Sequence, residues 1–266
     1  MTPEDHIRAA QRLDHAEKAR HQIGCISQDH PSMTLADAYA IQREWVALKK
    51  AGGGAVRGRK IGLTSRAMQS QLKIDMPDSG VLFDDMFFDC RAEVAPDRFI
   101  EPRIEAEIAF GMARDLKGPD VGPAEVLAAT DWVAPALEIL DTRIFRKDPL
   151  TGQARLIFDT IADNAANAGL VVGAERQDAR RLDLRRIGAI VTRNGLVEET
   201  GLGAGVMGDP LQAMAWLANR LAEYDDYIRA GDVVLSGSFI RAIEAPSGSD
   251  FHADFGPFGS VSITFS

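Results

Sequence analysis

The chain is expected to fold as an α+β protein, a β-rich body preceded by a helical N-terminal region. Three observations predict this: helical periodicity is confined mainly to residues before Lys50, strand and turn signals dominate from Lys60 onward, and strands do not alternate with helices as a parallel α/β sheet requires. The division is drawn at 1–58 for the helical region and 59–266 for the core, and 266 residues suffice to bury a sizeable interior.

Ile7 to Ile26 mixes apolar and charged positions in a heptad-like way, and His30-Pro31 marks a turn. Thr34 is placed to cap a second helix, with Asp37 three residues on as its capping partner. Leu35, Tyr39, Ile41, Trp45 and Leu48 form that helix's apolar stripe, and Gly52-Gly53-Gly54 ends it. Short helices are predicted at Gly122 to Thr130 and from Pro210 to Leu221, the second with Asp209 as N-cap and proline in its first turn. Ile187 to Arg193 and Leu196 to Thr200 flank Asn194-Gly195, a pair suited to the positive-φ positions of a type I′ hairpin turn. Val233 to Ser266 alternates strand-like runs with glycine turns.

A net charge of −9 argues against nucleic acid or an anionic membrane as the main partner. The first residues carry charges instead of an apolar signal core, and no apolar run has membrane-spanning length, so a cytoplasmic protein acting on a small molecule is expected. Cys25 and Cys90 match no metal-ligand spacing and read as reduced thiols.

The chemistry is concentrated in carboxylates. In Arg103-Ile104-Glu105-Ala106-Glu107-Ile108-Ala109-Phe110 the glutamates alternate with apolar residues at the period of a half-buried strand, so both point the same way. Exposed strand glutamates share this spacing, but Glu138 interrupts a second apolar run, Trp132 to Leu140, with no basic residue following it before Arg143. Carboxylates in such surroundings pair, protonate or bind a cation, and oxygen-only ligation suits Mg²⁺ or Mn²⁺.

Other motifs carry less. Gly203-Ala204-Gly205-Val206-Met207-Gly208 has dinucleotide-loop spacing, but it follows a hairpin strand and precedes a helix with its own cap. Gly53 to Gly58 is followed by Arg59-Lys60-Ile61 and lacks the Lys-Ser/Thr pair of a phosphate loop. Residues 31–251 contain no histidine, and His252 reads as satisfying a hydrogen bond or facing solvent, so acid–base work falls to Lys, Asp, Glu or a metal-bound water. Lys60 enters a short apolar run between Gly58 and Gly62, where other groups can approach closely.

With Lys60 in Lys-Ile-Gly-Leu-Thr-Ser, Glu105-x-Glu107, and Glu138 in Pro135-Ala136-Leu137-Glu138-Ile139-Leu140-Asp141, the chain resembles the fumarylacetoacetate hydrolase superfamily over nearly its whole length. Asp37 to Trp45, Phe158 to Asn167 and Gly259-Ser260-Val261-Ser262 extend the likeness. More narrowly it looks like the branch of hydratases and decarboxylases that handles 2-oxo acids in meta-cleavage breakdown of aromatic compounds. Asp84-Asp85-Met86-Phe87-Phe88 and Ser236-Gly237-Ser238-Phe239 are similar to the hydratases of seven-carbon 2-oxo diacids and differ from the decarboxylases.

The resemblance implies a mixed β-roll core, a Mg²⁺ or Mn²⁺ ion held by Glu105, Glu107 and Glu138, and Lys60 and Asp78 as acid–base residues. It implies Leu63, Thr160 and Ser238 as substrate contacts and a homo-oligomer, a decamer built from dimers. Ser79 stands where related enzymes carry an aromatic residue. The expected reaction is addition of water to a linear 2-oxo dicarboxylate. Decarboxylation of a 2-oxo diacid and hydration of the shorter 2-oxopent-4-enoate are the enzymatic alternatives, and a structural partner subunit of a hydratase–decarboxylase complex the non-catalytic one. The distal substrate carboxylate calls for a cation, with Arg66, Arg143 and Arg146 as candidates.

Overall fold

The computed structural model describes residues 1–66, 69–70, 74 and 76–266. Its N-terminal helices are α1 (Pro3–Ala19), α2 (Ile26–Asp29) and α3 (Leu35–Ala51). Reciprocal capping boxes start the two long ones, Thr2 with Asp5 and Thr34 with Asp37. Asp37 also accepts from the Met1 amino group at 3.2 Å and lies 2.8 Å from His6 Nε2, which ties the chain start to α3.

After α3 come β1 (Val56–Gly62), β2 (Asp78–Phe83), β3 (Phe87–Phe88), β4 (Glu93–Val94) and the long pair β5 (Arg103–Met112) and β6 (Thr130–Leu140), joined across α4 (Pro123–Ala129). Next are α5 (Ile157–Ala162), β7 (Asn167–Val172), β8 (Gly188–Arg193), β9 (Leu196–Leu202) and α6 (Pro210–Ala222). The chain finishes with β10 (Val233–Leu235), β11 (Ile243–Glu244), β12 (Ser249–Asp254) and β13 (Ser260–Phe265). Asn194 and Gly195 both have positive φ, 51° and 77°, as the type I′ reading requires.

Among the described residues the strands form two sheets. The larger runs β2-β1-β10-β5-β6-β7-β3, with β11 on the far part of β5, and the smaller runs β4-β13-β12-β8-β9. Parallel pairs (β1/β10, β3/β7, β4/β13) sit among antiparallel ones, which makes both sheets mixed.

Strand alternation divides the interior in two. Ile104, Ala106, Ile108 and Phe110 of β5, with Val133, Leu137 and Ile139 of β6, pack with the small sheet and α6. Ala109 and Ala136 face the other way, into a core with Leu13 of α1, Ile41 and Trp45 of α3, and Leu82 and Phe83 of β2. The half-buried reading of β5 is therefore corrected: the small sheet and α6 cover one face, the N-terminal helices cover the other, the strand is buried on both faces from Ala106 onward, and the glutamates lie on the side of the N-terminal helices. The N-terminal helices and the larger sheet share one core.

Candidate active site

In the β5–β6 ladder Glu105 is the partner of Glu138 and Glu107 the partner of Ala136, which brings three carboxylates to one face. One oxygen from each lies within 4.8 Å of the others. Glu107 and Glu138 are both 0% exposed, while Glu105 is half-buried. The Gly237 amide donates to Glu107 Oε2 at 2.7 Å. Glu138 Oε1 accepts from Asn167 Nδ2 at 2.7 Å and lies 3.2 Å from Lys60 Nζ. The sequence around Glu138 supplied no base, but β1 supplies one across the sheet.

Glu107 Oε1 and Glu138 Oε2 are buried with no hydrogen-bond partner. Burial, then repulsion from Glu138, pushes the Glu105 carboxyl up to about 8, with Lys60 acting in the opposite direction. The same two causes, joined by repulsion from Glu105, raise Glu107 well above the usual carboxylate range. Two orphaned carboxylate oxygens beside a third carboxylate form an oxygen-only donor set of the kind that holds a hard divalent cation.

Lys60 and Asp78 border this cluster. The β1–β2 register pairs Lys60 with Gly80 and Gly62 with Asp78, and both charged side chains are buried. Burial alone lowers a lysine, but the carboxylates of Glu138, Asp78, Glu105 and Glu107 outweigh it and raise Lys60 above its ordinary value. Asp78 is pushed up to about 6 by burial, against the pull of Lys60, and its Oδ1 has no partner. A Cβ on Gly62 would lie 2.2 Å from that oxygen and 3.1 Å from Lys60 Nζ, so glycine here makes the room in which the two meet. The pair combines an amine held in its charged form with a carboxyl raised to about 6.

The other expected residues are more scattered in role. Leu63 leaves β1 in a left-handed conformation, φ 56°, and is half-buried. Thr160 lies on α5. Ser238 Oγ donates to the carbonyl of Ile240 at 2.9 Å, within the loop whose Gly237 reaches Glu107. In that loop the Ser236 hydroxyl is buried and unpartnered, a feature sequence reasoning passed over.

Of the three arginines proposed for a distal carboxylate, Arg143 is corrected outright. It is buried, with Nε 2.5 Å from Asp163 Oδ1, Nη2 2.7 Å from the Asp163 carbonyl and Nη1 3.1 Å from that of Asn167. Arg146 is engaged by Glu101 and Glu244, and Arg66 is exposed.

Sequence reasoning also missed the segment that aims Asn167. Asn164, Ala165 and Ala166 have φ of 51°, 52° and 58°, three left-handed residues in succession. This tight turn lets the Asn164 side chain bond both backbone groups of Val81, at 2.8 and 3.0 Å, and delivers Asn167 to Glu138. The signal available was the polar run Asp163-Asn164 and Asn167 within an apolar stretch. A groove between the β8–β9 hairpin and Phe239, Phe255 and Phe258 contains none of these groups. His252 is exposed on the small sheet, its Nδ1 2.8 Å from Ser262 Oγ.

No family model matches the chain. It is 52% identical over 260 residues to the 2-oxo-hept-4-ene-1,7-dioate hydratase of Escherichia coli, spanning 98% of this chain and 97% of that protein. The chain belongs to the hydratase and decarboxylase branch of the fumarylacetoacetate hydrolase superfamily. Within this branch it is also 39% identical to the 2-hydroxyhexa-2,4-dienoate hydratase of Comamonas testosteroni, over 96% of this chain and 95% of that one. The 4-oxalocrotonate decarboxylase from Pseudomonas putida G7, solved with magnesium and adipate, has the same fold, with a TM-score of 0.94, 34% identity, and 100% and 99% of the two chains covered. The α+β fold with a mixed β-roll core and N-terminal helices is thus that of the superfamily branch.

Proposed function

We propose that this protein is a divalent-metal-dependent hydratase that converts 2-oxohept-4-ene-1,7-dioate, or its 2-hydroxy-2,4-diene tautomer, to 4-hydroxy-2-oxoheptane-1,7-dioate. The observation that carries the reading is the cluster of half-buried Glu105 with buried Glu107 and Glu138, beside Lys60 and Asp78, in a chain 52% identical to a hydratase named for that compound. Meta-cleavage catabolism of aromatic compounds is the corresponding context.

The residues fit a metal, because Glu107 Oε1 and Glu138 Oε2 are otherwise orphaned in the interior. Glu105, Glu107 and Glu138 would hold Mg²⁺ or Mn²⁺. When bound, the cation supplies Lewis-acid polarisation of the substrate's C2 oxygen. Asp78, with a carboxyl near 6, takes the C3 proton of the 2-oxo form, and protonated Lys60 returns a proton at C5. The double bond then lies between C3 and C4, conjugated with the C2 carbonyl, and water adds its oxygen at C4 and a proton at C3. Leu63, Thr160 and Ser238 are proposed to line the substrate, and the assembly is proposed to be a homo-oligomer, a decamer by family resemblance. No helix among the described residues is long and apolar enough to cross a membrane.

The likeness to the decarboxylase favours one further reading, loss of CO₂ from a 2-oxo diacid. Incubating 2-hydroxyhepta-2,4-diene-1,7-dioate with purified protein, with and without Mg²⁺, and following ultraviolet absorbance and product mass separates the two. A Mg²⁺-dependent product heavier by one water supports hydration; one lighter by CO₂ replaces it with decarboxylation. An unchanged substrate rejects both for this compound.

A further inference from the structure

We infer that Arg155 receives the carboxylate at the far end of the substrate and so makes the site selective for dicarboxylates. The inference rests on the hydratase reading above and adds a specificity residue to it.

A site that grips one end of a diacid with a cation-binding cluster needs a second positive group for the other end. The basic residues surrounding the cluster are mostly committed. Lys60 is paired with Glu138, Arg143 is enclosed by Asp163, Arg146 lies between Glu101 and Glu244, and Arg59 is paired with Asp226. Arg155 differs. Its Nη1 donates to the neutral hydroxyl of Thr142, and among the described residues no carboxylate forms an ion pair with it within 4.0 Å. Only part of its five-donor fork is used by that bond.

Its position is suitable. Thr142 follows the end of β6, the strand that carries Glu138, and its hydroxyl lies 3.2 Å from Asp163 Oδ2, so Arg155 leans on the network that fixes Arg143 and Asn167. The Arg155 amide donates to the Arg146 carbonyl at 3.1 Å, and the next residue is the N-cap of α5, which carries Thr160. Arg155 is half-buried. Desolvating a guanidinium without a matched anion is costly, and a carboxylate arriving in its plane offsets that cost through two parallel hydrogen bonds.

The test uses the Mg²⁺-loaded protein and the Arg155→Met and Arg155→Lys variants. Two substrates are compared, 2-hydroxyhepta-2,4-diene-1,7-dioate and 2-hydroxypenta-2,4-dienoate, which lacks the distal carboxylate. Calorimetric binding of adipate is set against that of hexanoate. For Arg155→Met, kcat/KM on the diacid is expected to fall by roughly 10²–10³-fold, with the monoacid changed by less than about threefold. Adipate affinity should drop with it and hexanoate affinity should not. Arg155→Lys keeps the charge without the fork, is expected to lie between, and serves alone if the methionine variant does not fold. Equal losses on both substrates and both acids, or no loss on either diacid, overturn the assignment. If the wild type hydrates neither compound, the hydratase reading fails while the adipate–hexanoate contrast still decides the role of Arg155.

Discussion

Glu105 and Glu138 face each other directly across the β5–β6 ladder, like charges at a position where sheets gain stability from complementary side chains. Lys60 neutralises Glu138, and nothing comparable is bonded to Glu105 among the described residues. Replacing Glu105 with glutamine is therefore expected to abolish Mg²⁺-dependent turnover while stabilising the metal-free protein at pH 9 by on the order of 1–3 kcal/mol. Thermal melts with chelator, set beside activity assays, check both halves; near-normal activity in the variant would remove Glu105 from the metal site.

The raised carboxyls give the metal-free protein a definite pH dependence. Glu105 titrates at about 8 in the folded chain against an ordinary 4.5, and Asp78 at about 6 against 3.8, so folding takes up protons between those values. The stabilisation is complete below the unfolded values and is lost as pH rises through 6 and 8. Chelator-treated protein should melt lower at pH 9 than at pH 5.5, as far as these two groups decide it. Mg²⁺ binding should release protons and tighten as pH rises, which calorimetry in buffers of different ionisation enthalpy measures. A pH-independent Mg²⁺ affinity from pH 5.5 to 8.5 contradicts this assignment.

Lys60 pairs with the carboxylate of Glu138, which is also one of the three proposed metal ligands. Lys60→Met is expected to reduce kcat by about 10²–10⁴-fold, the range of a lost acid–base group, without weakening Mg²⁺ binding. It also leaves Glu138 buried beside an uncharged side chain, a cost of roughly 3–5 kcal/mol in metal-free protein. Added Mg²⁺ should recover much of the lost melting temperature. Wild-type turnover in this variant would exclude Lys60 from the reaction.

Gly62→Ala tests the room shared by Lys60 and Asp78. The added methyl would fall 2.2 Å from Asp78 Oδ1, so the carboxylate must move. Because the obstacle is a side chain, the expected stability loss is only about 1–3 kcal/mol, while kcat should drop by about 10²-fold, as for a displaced reacting group. Urea denaturation and single-turnover kinetics separate the two effects.

Arg143→Met should behave as a folding mutation. Removing the guanidinium leaves Asp163 buried and unpaired, with a loss of roughly 3–5 kcal/mol and no change in the preference between diacid and monoacid substrates. A selective loss of diacid turnover in well-folded Arg143→Met would return Arg143 to the substrate site.

Much of the candidate site was legible because it violated local pattern. Charges at 105, 107 and 138 interrupt apolar runs, and Lys60 lies between glycines; such conflicts between residue type and surroundings can be read without coordinates. The Thr34 and Asp37 cap and the Asn194-Gly195 turn were legible for the opposite reason, since short-range geometry decides them. What remained hidden depends on distant partners. The double burial of β5 comes from α1 and α3, the commitment of Arg143 from Asp163, and the Lys60–Glu138 pair from a sheet order in which β10 and β5 lie between their strands. Helix α5 has only six residues, too few for periodicity to mark it, and Arg155 sits in a polar stretch that reads as an ordinary loop.

The left-handed run from Asn164 to Ala166 restricts how this chain can diverge over generations. A β-branched residue at 165 or 166 would add steric cost to a backbone already in its rarer hand, and glycine would relieve the strain while enlarging the freedom of the unfolded chain. Two plain alanines, without a polar atom on either side chain, should therefore vary as little among working relatives as the carboxylates themselves. Their restraint comes from the path of the main chain that carries Asn167 to Glu138.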